Sequence, residues 1–156
     1  MDETIAKIST PEGLEQFALN VEERSPERAQ AARRRAVELR ADLLAAEHGA
    51  ETQAERESIQ AICAYERTLY KKHGKHKRAA YTWRMVRARG IIPAVENAVM
   101  KPKETAGFRA LEAEGMLSMA FEAVVLRHPE VFSSEAIAAS QRRMDEWNAS
   151  QLPNEG

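Results

Sequence analysis

Apolar residues return every three or four positions along most of the chain, which is the spacing that buries one face of an α-helix. The first such run consists of Leu14, Phe17 and Val21. It follows Ser9 and Glu12, which are spaced as a capping box around an early proline. This pattern predicts that a helix begins near residue 11.

A narrower apolar seam follows Ser25 and Pro26, which predict the N-cap and first position of a second helix. The members of the seam alternate at steps of three and four: Ala29, Ala32, Ala36, Leu39, Leu43 and Ala46. This spacing is typical of a coiled coil, and His48 with Gly49 predicts its end. Either the next long helix or a second chain would cover the seam. The sequence therefore predicts an antiparallel hairpin and, alternatively, a homodimer through that hairpin.

The helical pattern continues through the rest of the chain. The further predicted segments cover about residues 52–73, 76–89, 93–100, 104–114, 116–127 and 133–147. Segment 116–127 is apolar on almost every side, so we expect it to be the most buried. Alanine occurs 27 times, whereas the strand-favouring valine and isoleucine occur 8 and 7 times. We therefore predict an all-α, compact multi-helix bundle of about eight helices with an N-terminal antiparallel helical hairpin.

Domain organisation follows from these segments. A chain of 156 residues is long enough to bury a hydrophobic core. We assign residues 1–50 to N-terminal helices that include the coiled-coil-like seam, and residues 51–149 to a helical core. Residues 150–156 are expected to form a frayed tail.

Charge is distributed unevenly along the chain, although the formal net charge is only −1. Residues 65–103 contain 11 basic and two acidic side chains, whereas the segments on either side are both acidic. A near-neutral total therefore does not exclude a polyanionic partner, because the basic side chains are concentrated in one segment.

The basic segment 65–103 has two faces when residues 76–89 are placed on a helix. Trp83 and Val86 share one face, and cations surround an aromatic ring on the other. Lysine and arginine neutralise phosphates, and an aromatic ring can stack on a base. The turn at Gly74 also allows a helix-turn-helix geometry. The candidate nucleic-acid-binding residues are Lys75, Lys77, Arg78, Tyr81, Arg84 and Arg89.

Two functional interpretations follow. The first is a small helical protein that binds the DNA or RNA backbone non-enzymatically through the basic segment 65–103. The alternative is a protein-interaction or accessory module, as a homodimer or heterocomplex, without a nucleic-acid role. The basic face could also be neutralised within the chain by acidic stretches such as those around Glu55, Glu57 and Glu114.

Other chemistry has little support in the sequence. No catalytic motif or glycine-rich phosphate loop is present, so we expect no catalytic residue, no cofactor and no metal site. Cys63 is the one cysteine and is assigned to the core. Glu122 lies within an apolar segment, which predicts an ion pair with a cation such as Arg109 or Arg127.

The sequence also bears on localisation. No apolar run approaches the roughly 20 residues that span a bilayer, and the first residues lack a secretory-signal pattern. We therefore predict a cytoplasmic protein that has no membrane partner.

Overall fold

The computed structural model describes residues 2–73, 79–101 and 106–152, and the side chains within these ranges except those of 70–73 and 106–107. These residues form nine α-helices and one 3₁₀ turn, and no strand occurs among them, which confirms the predicted all-α bundle. The elements are α1 (Glu3–Lys7), α2 (Pro11–Val21), α3 (Pro26–Glu47), α4 (Gln53–His73), α5 (Ala80–Arg89), α6 (Ile91–Met100), α7 (Ala106–Ala113), the 3₁₀ turn (Leu117–Met119), α8 (Phe121–Arg127) and α9 (Ser134–Ser150).

The first helices begin at side-chain caps. Asp2 caps the short helix α1, which the sequence analysis did not predict, by accepting a hydrogen bond from the Thr4 N–H at 2.8 Å. Thr10 caps α2, because its Oγ1 accepts from the Gly13 N–H at 3.0 Å. The predicted capping box with Ser9 was therefore displaced by one residue. Since Pro11 occupies the first helical position, the residue directly before it is the N-cap.

Helix α3 takes part in two apolar clusters. Near its beginning, three alanines pack against Leu14, Ala18 and Val21 of α2: Ala29, Ala32 and Ala36. Further along, the buried residues are Val37, Ala41 and Ala45, which belong to the main core. The buried face changes because α2 covers the first half and α4 covers the second. Leu39 is partly buried against the first cluster, but the last two positions of the predicted seam were wrong: Leu43 is 61% exposed and Ala46 is also exposed.

Helices α3 and α4 pack together after a short connection, and they form the predicted antiparallel hairpin. A reciprocal capping box begins α4. The Thr52 Oγ1 accepts from the Glu55 N–H at 3.1 Å, and the Glu55 carboxylate accepts from the Thr52 N–H at 3.1 Å. The apolar face of α4, which includes Ile59, Ile62 and Cys63, is buried in the main core.

The central segment 116–127 is not one continuous helix, as was predicted. A 3₁₀ turn covers Leu117–Met119, Ala120 is extended, and α8 begins at Phe121. The break lets Met119 and Phe121, on either side of it, both pack into the main core. Helix α8 contacts α4, α6 and α9, so the expected burial of this segment is observed.

Helices α5 and α6 are separated by a single residue. Gly90 has φ +106°, which is a conformation that favours glycine, and it ends α5 and precedes α6. Consequently α6 begins at Ile91, two residues earlier than the start predicted from Pro93. No helix in the described part of the chain has both the length and the apolar character required to cross a membrane.

Candidate nucleic-acid interface

The structure places three of the six candidate residues. Tyr81, Arg84 and Arg89 lie on α5, and all three side chains are exposed. Lys75, Lys77 and Arg78 lie outside the described residues, and so does the turn on which the predicted helix-turn-helix geometry depends. The geometry of the site is therefore built from α5 and α6.

The apolar face of α5 holds the helix on the main core. Trp83 is 1% exposed and Val86 is also buried, as the helical spacing predicted. The Trp83 indole stacks on the His48 ring at the end of α3, with ring centroids 4.9 Å apart and an interplanar angle of 16°. Because these contacts fix the rotation of α5, its opposite face is directed to solvent.

The beginning of α5 is anchored by a carboxylate from another helix. The buried Glu66 on α4 accepts a hydrogen bond from the Ala79 N–H at 2.8 Å and pairs with Arg40 of α3 at 3.1 Å. A negative charge at this end of a helix is favoured by the helix dipole. This role of Glu66 could not be predicted from the sequence, because no local pattern connects it with Ala79, 13 positions later.

Tyr81 brings cations from two helices together. The Lys101 Nζ lies 3.6 Å from the centroid of the Tyr81 ring, and the Arg84 guanidinium carbon lies 5.8 Å from it. This contact shows that α5 and α6 are antiparallel, since Tyr81 is near the start of α5 and Lys101 directly follows α6. An exposed cation–π contact contributes about 0.5–1 kcal/mol. Tyr81 therefore orients these cations more than it stabilises the fold.

Lys101 was not among the candidate site residues predicted from the sequence. Helices α5 and α6 have ten residues each, and one residue, Gly90, joins them. In an antiparallel pair of equal length, the start of the first helix lies beside the end of the second. A reading of Gly90 as a complete helix–helix connection would have placed Lys101 beside Tyr81.

The acidic stretches that could have neutralised these cations have other partners. Glu57 pairs with Arg127 at 2.7 Å, and Glu114 pairs with Arg67 at 2.9 Å. Within the described ranges, no ion pair is made by the cations at this surface, which are Arg84, Arg87, Arg89 and Lys101.

Two of these cations also have a structural explanation. Arg87 and Arg89 lie in the last turn of α5, where a positive charge interacts favourably with the helix dipole. Such an interaction contributes about 0.3–1 kcal/mol. Arg84 lies in the middle of the helix, so this explanation does not extend to it.

The other candidate chemistry in the described residues is structural. Glu122 is buried and pairs with Arg143 at 2.8 Å, so the predicted ion pair is confirmed, but the partners proposed for it, Arg109 and Arg127, were wrong. Arg127 contacts Glu57 instead, and Cys63 is buried in the core. No group of three or more potential metal ligands occurs among the residues that the structure describes.

Comparisons of the chain with protein-family models, with curated proteins and with solved structures find no match. The function proposed for this chain therefore follows from its own residues.

Proposed function

We propose that this protein binds nucleic acid non-enzymatically through the exposed side of α5 and the adjoining end of α6. We call this surface the α5 face and define it by Tyr81, Arg84, Arg87, Arg89 and Lys101. The observation that carries the proposal is that its four cations are exposed and make no ion pair in the described part of the chain.

The energetic basis of the proposal is counterion release. A cation that meets a phosphate releases a condensed counterion, and the affinity therefore falls as the salt concentration rises. A cation that already has a carboxylate partner would have to give up that partner first. The α5 face avoids this cost, since its cations have no such partner among the described residues.

The number of cations limits the affinity. Four phosphate contacts predict a slope of log K against log[salt] of about −3 to −4, and a dissociation constant in the range of about 10⁻⁴ to 10⁻⁶ M is typical of non-specific binding. We expect binding to the phosphate backbone without strong preference for a base sequence, because phosphate contacts position a protein but do not read bases.

The test is fluorescence anisotropy of labelled oligonucleotides between 50 and 200 mM salt, with two double variants. Arg84→Gln/Arg89→Gln removes two charges from the α5 face. Arg109→Gln/Arg142→Gln is the matched control, because both of its arginines are exposed and make no ion pair in the described residues. We expect the first pair to weaken binding about tenfold and to make the salt slope shallower by about 2, and the control to stay within about twofold.

Two results would overturn the proposal. One is the absence of binding tighter than about 10⁻⁴ M at low salt. The other is an equal loss in both double variants, which would attribute binding to the total charge of the protein. An acidic protein partner for the same cations is the alternative, and it predicts indifference to oligonucleotides in every variant.

A further inference from the structure

We infer that the α5 face accepts a single strand rather than a duplex, with the Tyr81 ring as the platform on which one base stacks. This inference rests on the proposed function and specifies the class of nucleic acid. Its basis is the exposure of two large apolar side chains among the cations: Tyr81 is 48% exposed, and Met100, which directly precedes Lys101, is 51% exposed.

A duplex cannot use this apolar surface. The faces of its bases are stacked inside the helix, and it presents phosphates, sugars and base edges to a protein. Against a duplex, Tyr81 and Met100 would therefore meet charged or polar groups. A single strand can turn a base outward and lay it on an exposed aromatic ring, while its phosphates meet the neighbouring cations.

The cation over the ring does not block this arrangement. An exposed cation–π contact changes an equilibrium about two- to fivefold, whereas stacking of a base on an aromatic ring changes affinity by about five- to a hundredfold. A base can therefore displace the Lys101 ammonium, which lies 3.6 Å from the ring centroid. The displaced ammonium stays beside the strand and can neutralise one of its phosphates.

An anionic membrane surface is less compatible with the same residues. A helix that lies in a membrane interface inserts a broad apolar face between the lipids. The apolar face of α5 is not available for insertion, because Trp83 and Val86 are buried against the core. Among the described residues of α5 and α6, the exposed large apolar side chains are those of Tyr81 and Met100, and two such side chains among cations match a single stacked base better than a bilayer.

The experiment compares fluorescein-labelled dT12, rU12 and a 12-base-pair DNA duplex at 50 mM salt, with the full chain. We expect both single strands to bind at least fivefold more tightly than the duplex. The difference between dT12 and rU12 identifies whether DNA or RNA is preferred, and either preference supports the inference. A sedimentation assay with anionic lipid vesicles measures whether the protein binds a membrane surface instead.

Two Tyr81 variants separate stacking from charge. Tyr81→Leu removes the ring and is expected to weaken single-strand binding about tenfold and duplex binding less than twofold, whereas Tyr81→Phe keeps the ring and the affinity. A single strand that contains 2-aminopurine reports stacking directly. Its fluorescence should be quenched by the wild type and by Tyr81→Phe, and not by Tyr81→Leu. Circular dichroism checks that the leucine variant folds.

The possible failures are distinguishable. If the duplex binds as tightly as the single strands, or if Tyr81→Leu binds like the wild type, the stacking platform is wrong and the proposed function stands. If no oligonucleotide binds, the proposed function is wrong and this inference falls with it. If vesicles bind while oligonucleotides do not, the occupant of the α5 face is a lipid surface and both statements are overturned.

Discussion

Arg143 on α9 and Arg84 on α5 carry the same guanidinium group in opposite surroundings. The Arg143 side chain is 13% exposed and donates a hydrogen bond to the buried Glu122 carboxylate at 2.8 Å. Arg84 is exposed, and its guanidinium carbon lies over the Tyr81 ring, 5.8 Å from the ring centroid. The first arginine connects two elements of the fold, whereas the second makes no ion pair in the described part of the chain.

Arg67 extends the comparison. It pairs with Glu15 of α2 and with Glu114, both at 2.9 Å, and so connects α4 to two distant parts of the chain. Burial lowers the pKa of Arg67, but hydrogen bonds and charge interactions with these two carboxylates raise this pKa by a larger amount, so the net shift is upward. Its charge is neutralised inside the protein. An arginine in that position orients helices, and an arginine without an acidic partner can meet a ligand.

The largest expected effect is on the buried pair. Arg143→Met leaves the Glu122 carboxylate buried without this cation, and we expect the free energy of unfolding to fall by about 3–5 kcal/mol. Urea denaturation followed by circular dichroism measures it. The double variant Arg143→Met/Glu122→Leu removes both charges and should recover most of the loss. A single variant within 1 kcal/mol of the wild type would mean that Glu122 is satisfied without Arg143.

An intermediate effect on stability is expected at acidic pH, where the carboxylates that cap helices and form ion pairs become protonated. Burial raises the pKa of Glu57, but hydrogen bonds from Arg127, Gln53 and His128 lower this pKa by a larger amount, so the net shift is downward. The pKa of Glu55 is also lowered, chiefly by its hydrogen bond from the Thr52 N–H.

The sign of the pH effect follows from these shifts. A carboxyl group whose pKa is lower in the folded chain than in the unfolded chain stabilises the fold at pH values above the unfolded pKa, which is 4.5 for glutamate. This contribution is lost as the pH falls through the folded pKa. The urea midpoint should therefore decrease between pH 5 and pH 3. Glu57→Gln should cost on the order of 1 kcal/mol at pH 7 and flatten the decrease. A urea midpoint that rises as the pH falls would contradict the lowered pKa values of Glu55 and Glu57.

The smallest effect on stability is expected at the α5 face. Arg84→Gln/Arg89→Gln should change the free energy of unfolding by less than about 1 kcal/mol, since it removes one exposed cation–π contact and one charge at a helix end, both of which contribute little at exposed sites. The same urea titration measures this change. If the variant is destabilised by more than about 2 kcal/mol, these arginines are structural and the contrast with Arg143 is removed.

Much of the helical architecture is readable in the sequence. Pro11 and Pro26 lie at the starts of α2 and α3, and Gly90 lies at the end of α5. Such signals act within one turn of helix, so a local pattern is sufficient to find them. The burial of Trp83 and the exposure of Arg84 also follow from helical spacing, because the two side chains lie on different faces of a ten-residue helix.

The predictions that failed depended on neighbours rather than on spacing. The seam on α3 is correct as far as Leu39, beyond which a different helix covers α3 and Leu43 remains exposed. Similarly, the apolar pattern of residues 116–127 is compatible with one helix, and the packing of the core requires a break at Ala120. Periodicity shows that a helix has an apolar face, and the identity of the element that covers this face depends on the whole fold.

The pairing of charges shows most clearly which properties depend on the sequence alone and which depend on the tertiary structure. The concentration of cations in residues 65–103 is a property of the sequence, and so is the helical spacing that places Arg84 and Trp83 on different faces of α5. Which acid meets which arginine is a property of the tertiary structure. Glu57 and Arg127 are 70 positions apart, and Glu122 and Arg143 are 21 apart. Helix propensity and capping act over a few residues, whereas an ion pair needs two side chains within about 4 Å. Only the packed helices bring such distant side chains together.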